Sequence, residues 1–179
     1  MSPSHDRARF EALFERCYPP LLAYARRRAP SVADADEVTA EVLMVAWRRL
    51  DQVPEEHPLP WLYGVARNVA RNRLRTLQRH DRLVQRIAHV PPERDDAAVE
   101  LVREAMAGLD EDDREVLRLA VWEGLSHAEI GVVLGCSANA VGIRLHRARR
   151  RLADEARKID GSAGQVHVEA ATGRPDRTE

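Results

Sequence analysis

The chain has 179 residues, of which 44% are hydrophobic and 4% aromatic, and its formal net charge is -1. This length allows one domain or two small ones, and the few aromatic side chains predict the aliphatic cores that suit small helical bundles. Because Cys17 and Cys136 are the only cysteines and have no partner at metal-ligand spacing, a zinc site and a disulfide framework are excluded.

Charge is segregated along the chain. The stretch 61–79 carries five arginines and no acid, whereas 93–113 is strongly acidic, which predicts two basic surfaces with an acidic region between them. Lys158 is the only lysine, an arginine bias that a GC-rich genome explains. The N-terminus lacks an apolar signal-peptide core and no apolar run approaches the length of a membrane span. A soluble cytoplasmic protein without membrane insertion is therefore expected.

The first third of the chain predicts helices separated by breaks. Residues 1–7 are polar and are expected to be disordered, and apolar spacing over 10–17 predicts the first helix. Pro19 and Pro20 interrupt this pattern, because proline is tolerated only in the first turn of a helix. A second helical piece over 21–28 is expected to follow.

Two further helices surround a proline-rich loop. The first extends from Asp34 to about Leu50, with carboxylates in its first turn that favour the helix dipole. The three prolines of Asp51–Pro60 exclude a helix there. The second helix, from Trp61 to about Arg79, carries a strip of arginines at every fourth position: Arg67, Arg71, Arg75 and Arg79. Like charges at this spacing cost about 0.2–0.5 kcal/mol per pair, so the strip suggests a polyanion partner, with a solvated face as the alternative.

The second half begins with a linker. Residues 81–97 contain two prolines and an acidic run that discourage regular structure. Apolar spacing from residue 98 predicts two helices, the second starting at Asp110–Asp113 and ending at Gly124. From 159 the composition changes to Gly, Ser, Thr, Pro and charge, which predicts a disordered tail over 159–179.

Between the acidic helix and the tail, Ser126–Arg151 predicts a helix-turn-helix. Ser126 and Glu129 have the spacing of a capping box, and Gly135 stands where a helix end favours positive φ. Ser137 can cap the second helix, whose buried stripe consists of Val141, Leu145, Ala148 and Leu152.

The rest of this second helix is basic, with no acid from Ser137 to Arg151. That arrangement fits a helix-turn-helix that places its second helix in the DNA major groove. An ordinary helical hairpin with a solvated basic face remains the alternative, since such helices also bind membranes or acidic partners. No GxGxxG, P-loop or HExxH motif occurs, and no catalytic or metal site and no cofactor are expected.

Three segments together carry the signatures of a known family: DADEVTAEVLMVAWRRL (Asp34–Leu50), WLYGVARNVARNRLR (Trp61–Arg75) and GLDEDDREVLRLAVWEGLSHAEIGVVLGCSANAVGIRLHRARRRL (Gly108–Leu152). On these segments the chain resembles bacterial sigma factors of the sigma-70 family, in the extracytoplasmic-function (ECF) group. The likeness covers about Phe10–Arg79 and Val99–Lys158.

The resemblance implies an all-α fold of two small helical domains joined by a flexible linker. A sigma region 2-like domain over 8–80 would bind the β′ clamp helices of core RNA polymerase and the −10 element. A region 4-like domain over 98–158 would bind the β flap and the −35 element. The implied function is a non-enzymatic subunit that directs RNA polymerase to promoter DNA, and an anti-sigma factor is an expected partner.

The resemblance also implies roles for individual residues. Polymerase-docking positions correspond to Asp36, Glu37, Thr39, Ala40 and Leu43. The −10 element would be bound by the amides of Asn68 and Asn72, by the rings of His57 and Trp61, and by phosphate contacts from the strip Arg67, Arg71, Arg75 and Arg79. The −35 element would be bound through Asn139, Gly142, Ile143, Arg144, His146, Arg147 and Arg150.

This chain departs from the family at two places. Gly142 and Ile143 stand where the family usually has polar or basic residues; glycine costs about 1 kcal/mol in a helix interior, and Ile143 can pack on a thymine methyl. The loop Asp51–Pro60 is acidic, although the family uses it to hold a −10 base. Two other readings compete: a stand-alone helix-turn-helix regulator, which would not need Asp34–Arg75, and an enzyme with a DNA-binding appendage, which no catalytic constellation supports.

Overall fold

The structure, a computed structural model, describes residues 3–80 and 97–171, with side-chain surroundings for 4–73 and 99–161. This part of the chain contains α1 (Pro3–Arg26), α2 (Val32–Arg48), a short 3₁₀ helix (Leu50–Gln52), α3 (Pro58–His80), α4 (Ala97–Ala107), α5 (Glu111–Val121), α6 (His127–Leu134) and α7 (Ala138–Ala171). No strand occurs among these described residues, which confirms the all-α fold class.

The helices form two compact units. The first contains α1, α2, α3 and α6, and the second contains α4, α5 and α7 from Asn139 onwards. Of the predicted linker 81–97, residues 81–96 lie outside the described residues, and Ala97 is the first residue of α4. The helix α6 comes from the C-terminal half of the sequence, yet it packs with the N-terminal helices, mainly against α3.

One continuous helix, α1, replaces the two predicted pieces. Pro3 opens it at a position where a missing N–H costs nothing, so the predicted disorder of 1–7 is wrong for 3–7. Pro19 and Pro20 lie inside the helix, and the predicted break there is also wrong. An interior proline costs about 3 kcal/mol. The helix continues nonetheless, because buried apolar side chains follow one face of it both before and after the prolines. These side chains are Leu13, Cys17, Leu21 and Tyr24.

The starts of α2 and α3 follow helix-capping rules. The backbone N–H of Asp34 donates to the Ser31 hydroxyl at 3.1 Å, so α2 begins at Val32, two residues earlier than predicted. The prediction that no helix occurs over 51–60 is wrong at both ends of this segment. The 3₁₀ helix extends to Gln52, and α3 already begins at Pro58. Proline suits a first turn because the first N–H groups of a helix have no intrahelical partner.

The core of the first unit lies where α1, α2 and α3 meet. The rings of Tyr24 and Tyr63 stack with centroids 4.5 Å apart, and the Arg28 guanidinium lies 3.5 Å above the centre of the Tyr24 ring. Small and aliphatic side chains fill the rest, including Ala35, Val42, Ala46, Leu62 and Ala66. The predicted aliphatic core therefore has one aromatic pair at its centre.

Side-chain capping joins α4 to α5 in the second unit. Asp110 caps α5 by accepting a hydrogen bond from the Asp113 N–H at 2.8 Å. Arg114 then reaches back and donates to the carbonyl oxygens of Met106 and Ala107 in the last turn of α4, at 2.9 and 3.1 Å, and to that of Leu109 in the following connection, at 2.6 Å. The acidic run thus starts a helix, as predicted, and the following arginine satisfies the carbonyls of the previous one.

The long helix α7 corrects the predicted tail. Residues 159–171 continue α7 and are not disordered, while 172–179 lie outside the described residues. The Gly and Ser residues of this stretch lower helix propensity, but extending an existing helix avoids the cost of nucleation. Composition alone therefore underestimated the length of this helix.

Candidate nucleic-acid interface

The turn between α6 and α7 is built by local sequence signals. The capping box is present: the Glu129 N–H donates to the Ser126 hydroxyl at 3.3 Å, and the Ser126 N–H donates to the Glu129 carboxylate at 2.8 Å. Gly135 ends α6 at φ +66°, in the left-handed region that glycine adopts at low cost. The Cys136 N–H then donates to the Gly131 carbonyl at 3.0 Å. The predicted start and end of α6 are both confirmed.

The helix α7 is divided lengthwise into an apolar and a basic face. Val141, Leu145 and Ala148 are buried, as predicted. The basic face is exposed, and within residues 99–161 four of its arginines form no ion pair: Arg144, Arg147, Arg149 and Arg150. We call these four the free arginine face. Cationic groups without a protein partner are available to bind phosphates.

Arg151 does not belong to this face, although it continues the arginine run. Its guanidinium donates to the Asp110 carboxylate at 2.9 Å and also to that of Asp113. Asp113 is buried, so this contact satisfies a carboxylate that has lost most of its solvent. Arg151 therefore holds α7 against the start of α5.

The predicted −35 positions are exposed with one exception. Asn139, Ile143 and His146 are exposed, as are the arginines among them, whereas Gly142 is half-buried. Ile143 is 48% exposed, an unusual place for a large aliphatic side chain on a basic surface. Such a side chain offers apolar contact instead of a hydrogen bond, which suits the methyl group of thymine.

The predicted −10 residues lie on α3 and the loop before it. Asn68 and Asn72 are exposed one turn apart, and so is Arg71. Arg67 is half-buried and has a partner within the protein. The side chains of the last two strip residues, Arg75 and Arg79, lie outside the described residues. The described part of α3 thus presents two amides and one exposed arginine.

Two arginines of α1 hold the acidic loop. Arg9 donates to the Val53 carbonyl at 2.9 Å, and Arg16 donates to the Glu55 carbonyl at 2.8 Å. Arg9 also pairs with the Glu55 carboxylate at 3.3 Å, which reduces the repulsion that this side chain would exert on a phosphate. Sequence reasoning missed both arginines, because no local signal links residues that lie 44 and 39 positions from their partners.

The predicted polymerase-docking set divides between surface and core. Asp36, Glu37 and Ala40 are exposed on α2. Thr39 and Leu43 are 1% and 8% exposed, and the Thr39 hydroxyl donates to the Ala35 carbonyl within the helix. Thr39 and Leu43 therefore lie on the face of α2 that packs into the core, and polymerase docking by these two residues stays a prediction.

The exposed face of α2 continues through two residues that the sequence reading did not assign to docking. Met44 and Trp47 are 51% and 48% exposed, and the rings of Trp47 and Phe10 form a T-shaped pair with centroids 5.1 Å apart. Together with Ala40 they form an exposed apolar surface, which we call the α2 patch. Met44 follows Ala40 by four residues and Trp47 follows Met44 by three, a helical spacing that would have identified both.

The acidic end of the same face is tied to α3. Arg73 donates to the Glu37 carboxylate and, at 3.4 Å, to that of Glu41. The Glu37 hydrogen bond raises the pKa of the Arg73 guanidinium. Glu37 is thus a bridge between helices as well as a surface charge, whereas Asp36 faces solvent.

The described part of the chain has neither a single membrane-spanning helix nor a group of metal-binding side chains. There, no single helix is long and apolar enough to span a bilayer, although α6 and the first part of α7 together have the length and composition of a broken span. No group of three or more His, Cys, Asp or Glu side chains that could hold a metal ion occurs among the same residues.

Comparison with known proteins places both halves of the chain in one family. The model for sigma-70 region 2 matches residues 13–80, and the model for sigma-70, region 4 matches 99–152. The chain is 31% identical over 160 residues to RNA polymerase sigma factor NccH of Alcaligenes xylosoxydans xylosoxydans, covering 82% of this chain and 86% of NccH.

Other relatives agree with this assignment. "Probable RNA polymerase sigma factor RfaY" of Xanthomonas campestris pv. campestris is 31% identical over 153 residues, and the chain spans only 38% of its length. The solved structure of CnrH, a sigma factor of Cupriavidus metallidurans, in complex with the cytosolic domain of CnrY has a TM-score of 0.58 and 30% identity, covering 81% of this chain and 85% of CnrH. Further curated relatives at 27% and 28% identity are ECF RNA polymerase sigma factors. The chain therefore belongs to the sigma-70 family of RNA polymerase sigma factors and, within it, to the ECF group, whose members direct RNA polymerase to promoters.

Proposed function

We propose that this chain docks on core RNA polymerase through α2, captures a melted −10 base with α3 and reads the −35 element with α7. The observation that carries this assignment is the free arginine face, which lies on the helix that follows a capped helix-turn-helix turn. The chain supplies binding energy and no chemistry of its own, so it is not an enzyme, and it works in the cytoplasm.

The face of α7 can supply both affinity and sequence preference. Arg144 and Arg150 bind phosphates, which gives salt-dependent affinity without sequence information. Arg147 and His146 reach base edges, where an arginine pairs best with guanine. Ile143 adds a thymine methyl contact. These side chains therefore favour a −35 element in which a thymine lies beside a guanine.

The amide side chains on α3 bind the captured −10 base. Asn68 offers a donor and an acceptor to the edge of an unstacked base, and Asn72 offers the same pair one turn later. Binding the single strand offsets an unstacking cost of about a few kcal/mol, so opening needs no covalent step. Arg9 and Arg16 hold the loop before α3, and this loop supports the captured base through His57.

Polymerase docking falls to the exposed face of α2. The α2 patch supplies apolar contact area, and Asp36 and Glu37 supply acidic groups at one end of it. An apolar centre with a charged rim is the usual composition of a specific protein interface. An anti-sigma factor would cover this same face, by analogy with CnrH, whose structure contains the cytosolic domain of CnrY.

Transcription with purified core RNA polymerase tests this function. The chain should form a stable complex with polymerase, and transcripts from a pool of genomic fragments should start downstream of one shared pair of elements. Tight binding to duplex promoter DNA without polymerase, and no complex with polymerase, would instead support the stand-alone regulator. The match to region 2 gives that alternative no support.

We expect Arg147→Ala to weaken transcription from a promoter with the cognate −35 element about tenfold, which corresponds to about 1.4 kcal/mol of lost base contact. The loss should depend on the −35 sequence and should shrink on promoters mutated at the contacted base pair. Arg157→Ala is the matched control, because Arg157 lies on α7 but pairs with Asp154 at 2.8 Å. If transcription fell equally on all −35 sequences, Arg147 would contact a phosphate and not a base.

We expect Asn68→Ala to slow promoter opening about tenfold, because a base captured by one good amide contact is worth about 1–3 kcal/mol. Permanganate reactivity of the −10 thymines measures opening directly. Binding of the closed complex to the −35 element should not change. Normal opening with Asn68→Ala would show that another side chain captures the base.

A further inference from the structure

The loop before α3 is held by its backbone. We call residues 53–57 the capture loop. The hydrogen bonds that α1 donates to it end on the carbonyl oxygens of Val53 and Glu55, so they fix the path of the main chain whichever side chains the loop carries. The Arg9 guanidinium makes a second contact, because its Nε lies 3.3 Å from the Glu55 carboxylate. One planar group with donors in a fixed fork thus joins two residues of the loop and sets the distance between them.

The two arginines bracket the capture loop. Arg9 and Arg16 are seven residues apart, which is two helical turns and about 10 Å along one face of α1. Their carbonyl acceptors are two residues apart in the loop, where Val53 is extended with φ −75° and ψ 121°. Two residues of extended chain span about 7 Å. The arginines therefore reach the loop from both ends of this segment and prevent it from sliding along α1.

Packing alone does not place the capture loop. A groove of about 360 Å³ lies between it and α1. Ala8 and Ala12 line this groove and are exposed, so small side chains leave the space unfilled. Val53 and Pro58 are buried, whereas residues 54–57 between them are all exposed. The position of this middle part depends on the arginine contacts, because it makes few of the dispersion contacts that hold a packed segment.

Base recognition requires a loop in a fixed position. Groups that bind a specific ligand must be held within about 0.5 Å of their productive geometry. Attraction to a phosphate falls only slowly with distance, so it tolerates larger displacements. His57 follows the Arg16-bound carbonyl by two residues, and it moves when Glu55 moves. A loop that is ordered before DNA arrives also avoids the entropic cost of ordering on binding.

We propose that Arg9 and Arg16 are positioning residues for −10 recognition, which fix the capture loop before DNA binds so that α1 sets how well the chain discriminates among bases. This inference rests on the proposed function, because the base concerned is the one that α3 and the loop capture. Neither arginine touches the base. Loss of either one lets the loop move into the groove, which lowers base discrimination and leaves polymerase docking unchanged.

Substitution of Arg16 tests this role in the full-length chain, since the side chain is exposed and its loss leaves the core intact. Arg16→Ala removes the contact, whereas Arg16→Lys keeps the charge and a donor. Arg7→Ala is the matched control, because Arg7 lies on the same helix but pairs with Glu11 of α1 at 2.9 Å. Digestion of the free chain with a glutamate-specific protease, with cuts after Glu55 or Glu56 identified by mass, measures release of the loop.

We expect Arg16→Ala to speed this loop cleavage about fivefold, the factor that one hydrogen bond is worth. Transcription with core RNA polymerase then compares the cognate promoter with promoters that carry one substituted −10 base pair. The ratio between them should fall about fivefold for the same reason. The ratio for −35 substitutions and the unfolding curve should not change. Arg16→Lys should keep most of the parent's behaviour, and Arg7→Ala should match the parent.

The inference is overturned if loop cleavage is unchanged in Arg16→Ala, or if cleavage rises while the −10 ratio stays at the parent value. An equal loss of transcription on every −10 sequence also overturns it, because Arg16 would then contact a phosphate. Transcription by the parent chain separates these results from failure of the proposed function. Normal parent transcription with an unchanged ratio rejects the positioning role alone, whereas absent parent transcription rejects the proposed function and the inference with it.

Discussion

Trp47→Ala is expected to weaken binding of the chain to the β′ clamp helices by about 30-fold or more, equivalent to about 2 kcal/mol. Trp47 is the largest side chain of the α2 patch, is 48% exposed and packs its ring against Phe10. A large, pre-positioned aromatic ring buries much area at little entropic cost, which is why tryptophan is enriched among the residues that dominate interface energies. The neighbouring Met44 adapts its shape to a partner.

Titration of the chain with an isolated clamp-helix fragment of β′ measures this effect. Trp122→Ala is the matched control, since Trp122 is 52% exposed but lies in the second unit. Ala40→Arg tests the same patch by adding bulk instead of removing a contact, and it leaves the Phe10–Trp47 contact intact. If both patch variants bound the fragment as the parent does, with unchanged unfolding curves, docking through this face of α2 would be wrong.

Gly131→Ala is expected to destabilise the helix-turn-helix turn by about 2–3 kcal/mol, despite the gain of about 1 kcal/mol in helix propensity. A Cβ atom at this position would lie 2.6 Å from the Cys136 carbonyl oxygen, closer than such atoms can approach. The obstacle is backbone, so relief requires movement of the turn and loss of the 3.0 Å hydrogen bond from Cys136 to Gly131. Recognition of the −35 element should fall in parallel.

Chemical denaturation and −35-dependent transcription check this prediction together. Gly161→Ala provides a control with the opposite sign, because Gly161 lies in α7 with nothing within 4 Å of its added Cβ atom. That variant should be more stable than the parent by up to about 1 kcal/mol. Equal stabilisation by both substitutions would mean that the turn adopts another path in solution.

The features that follow from neighbouring residues could be predicted from the sequence. The capping box at Ser126, the left-handed Gly135 and the buried stripe of α7 each depend on residues within one or two helical turns. Their energies come from local hydrogen bonds, backbone sterics and helical periodicity, which tertiary contacts only reinforce. The same holds for the basic face of α7, since its position relative to the apolar stripe is set by the helix alone.

Errors arose where composition was taken as a structural rule. The prolines of α1 and the Gly-rich end of α7 lie inside helices, because neither residue type decides structure against favourable neighbours. Thr39 and Leu43 correspond to docking positions by resemblance, and the structure places both on the core side of α2. One helix places adjacent residues on different faces, so a resemblance that holds for a helix does not by itself say which of its residues are exposed.

Contacts between distant parts of the chain were decided by packing. Three such contacts leave no local pattern in the sequence. They are the pairing of Arg151 with Asp113, the support of the loop by Arg9 and Arg16, and the approach of α6 to Gly64. Each depends on which helix faces fit together, and helix packing is governed by side-chain shape over many residues at once. The sequence by itself thus determined the helix caps, the apolar stripes and the family, because these depend on neighbouring residues. Tertiary packing decided which arginines pair with acidic side chains and which face of α3 contacts α6, because these contacts join distant parts of the chain.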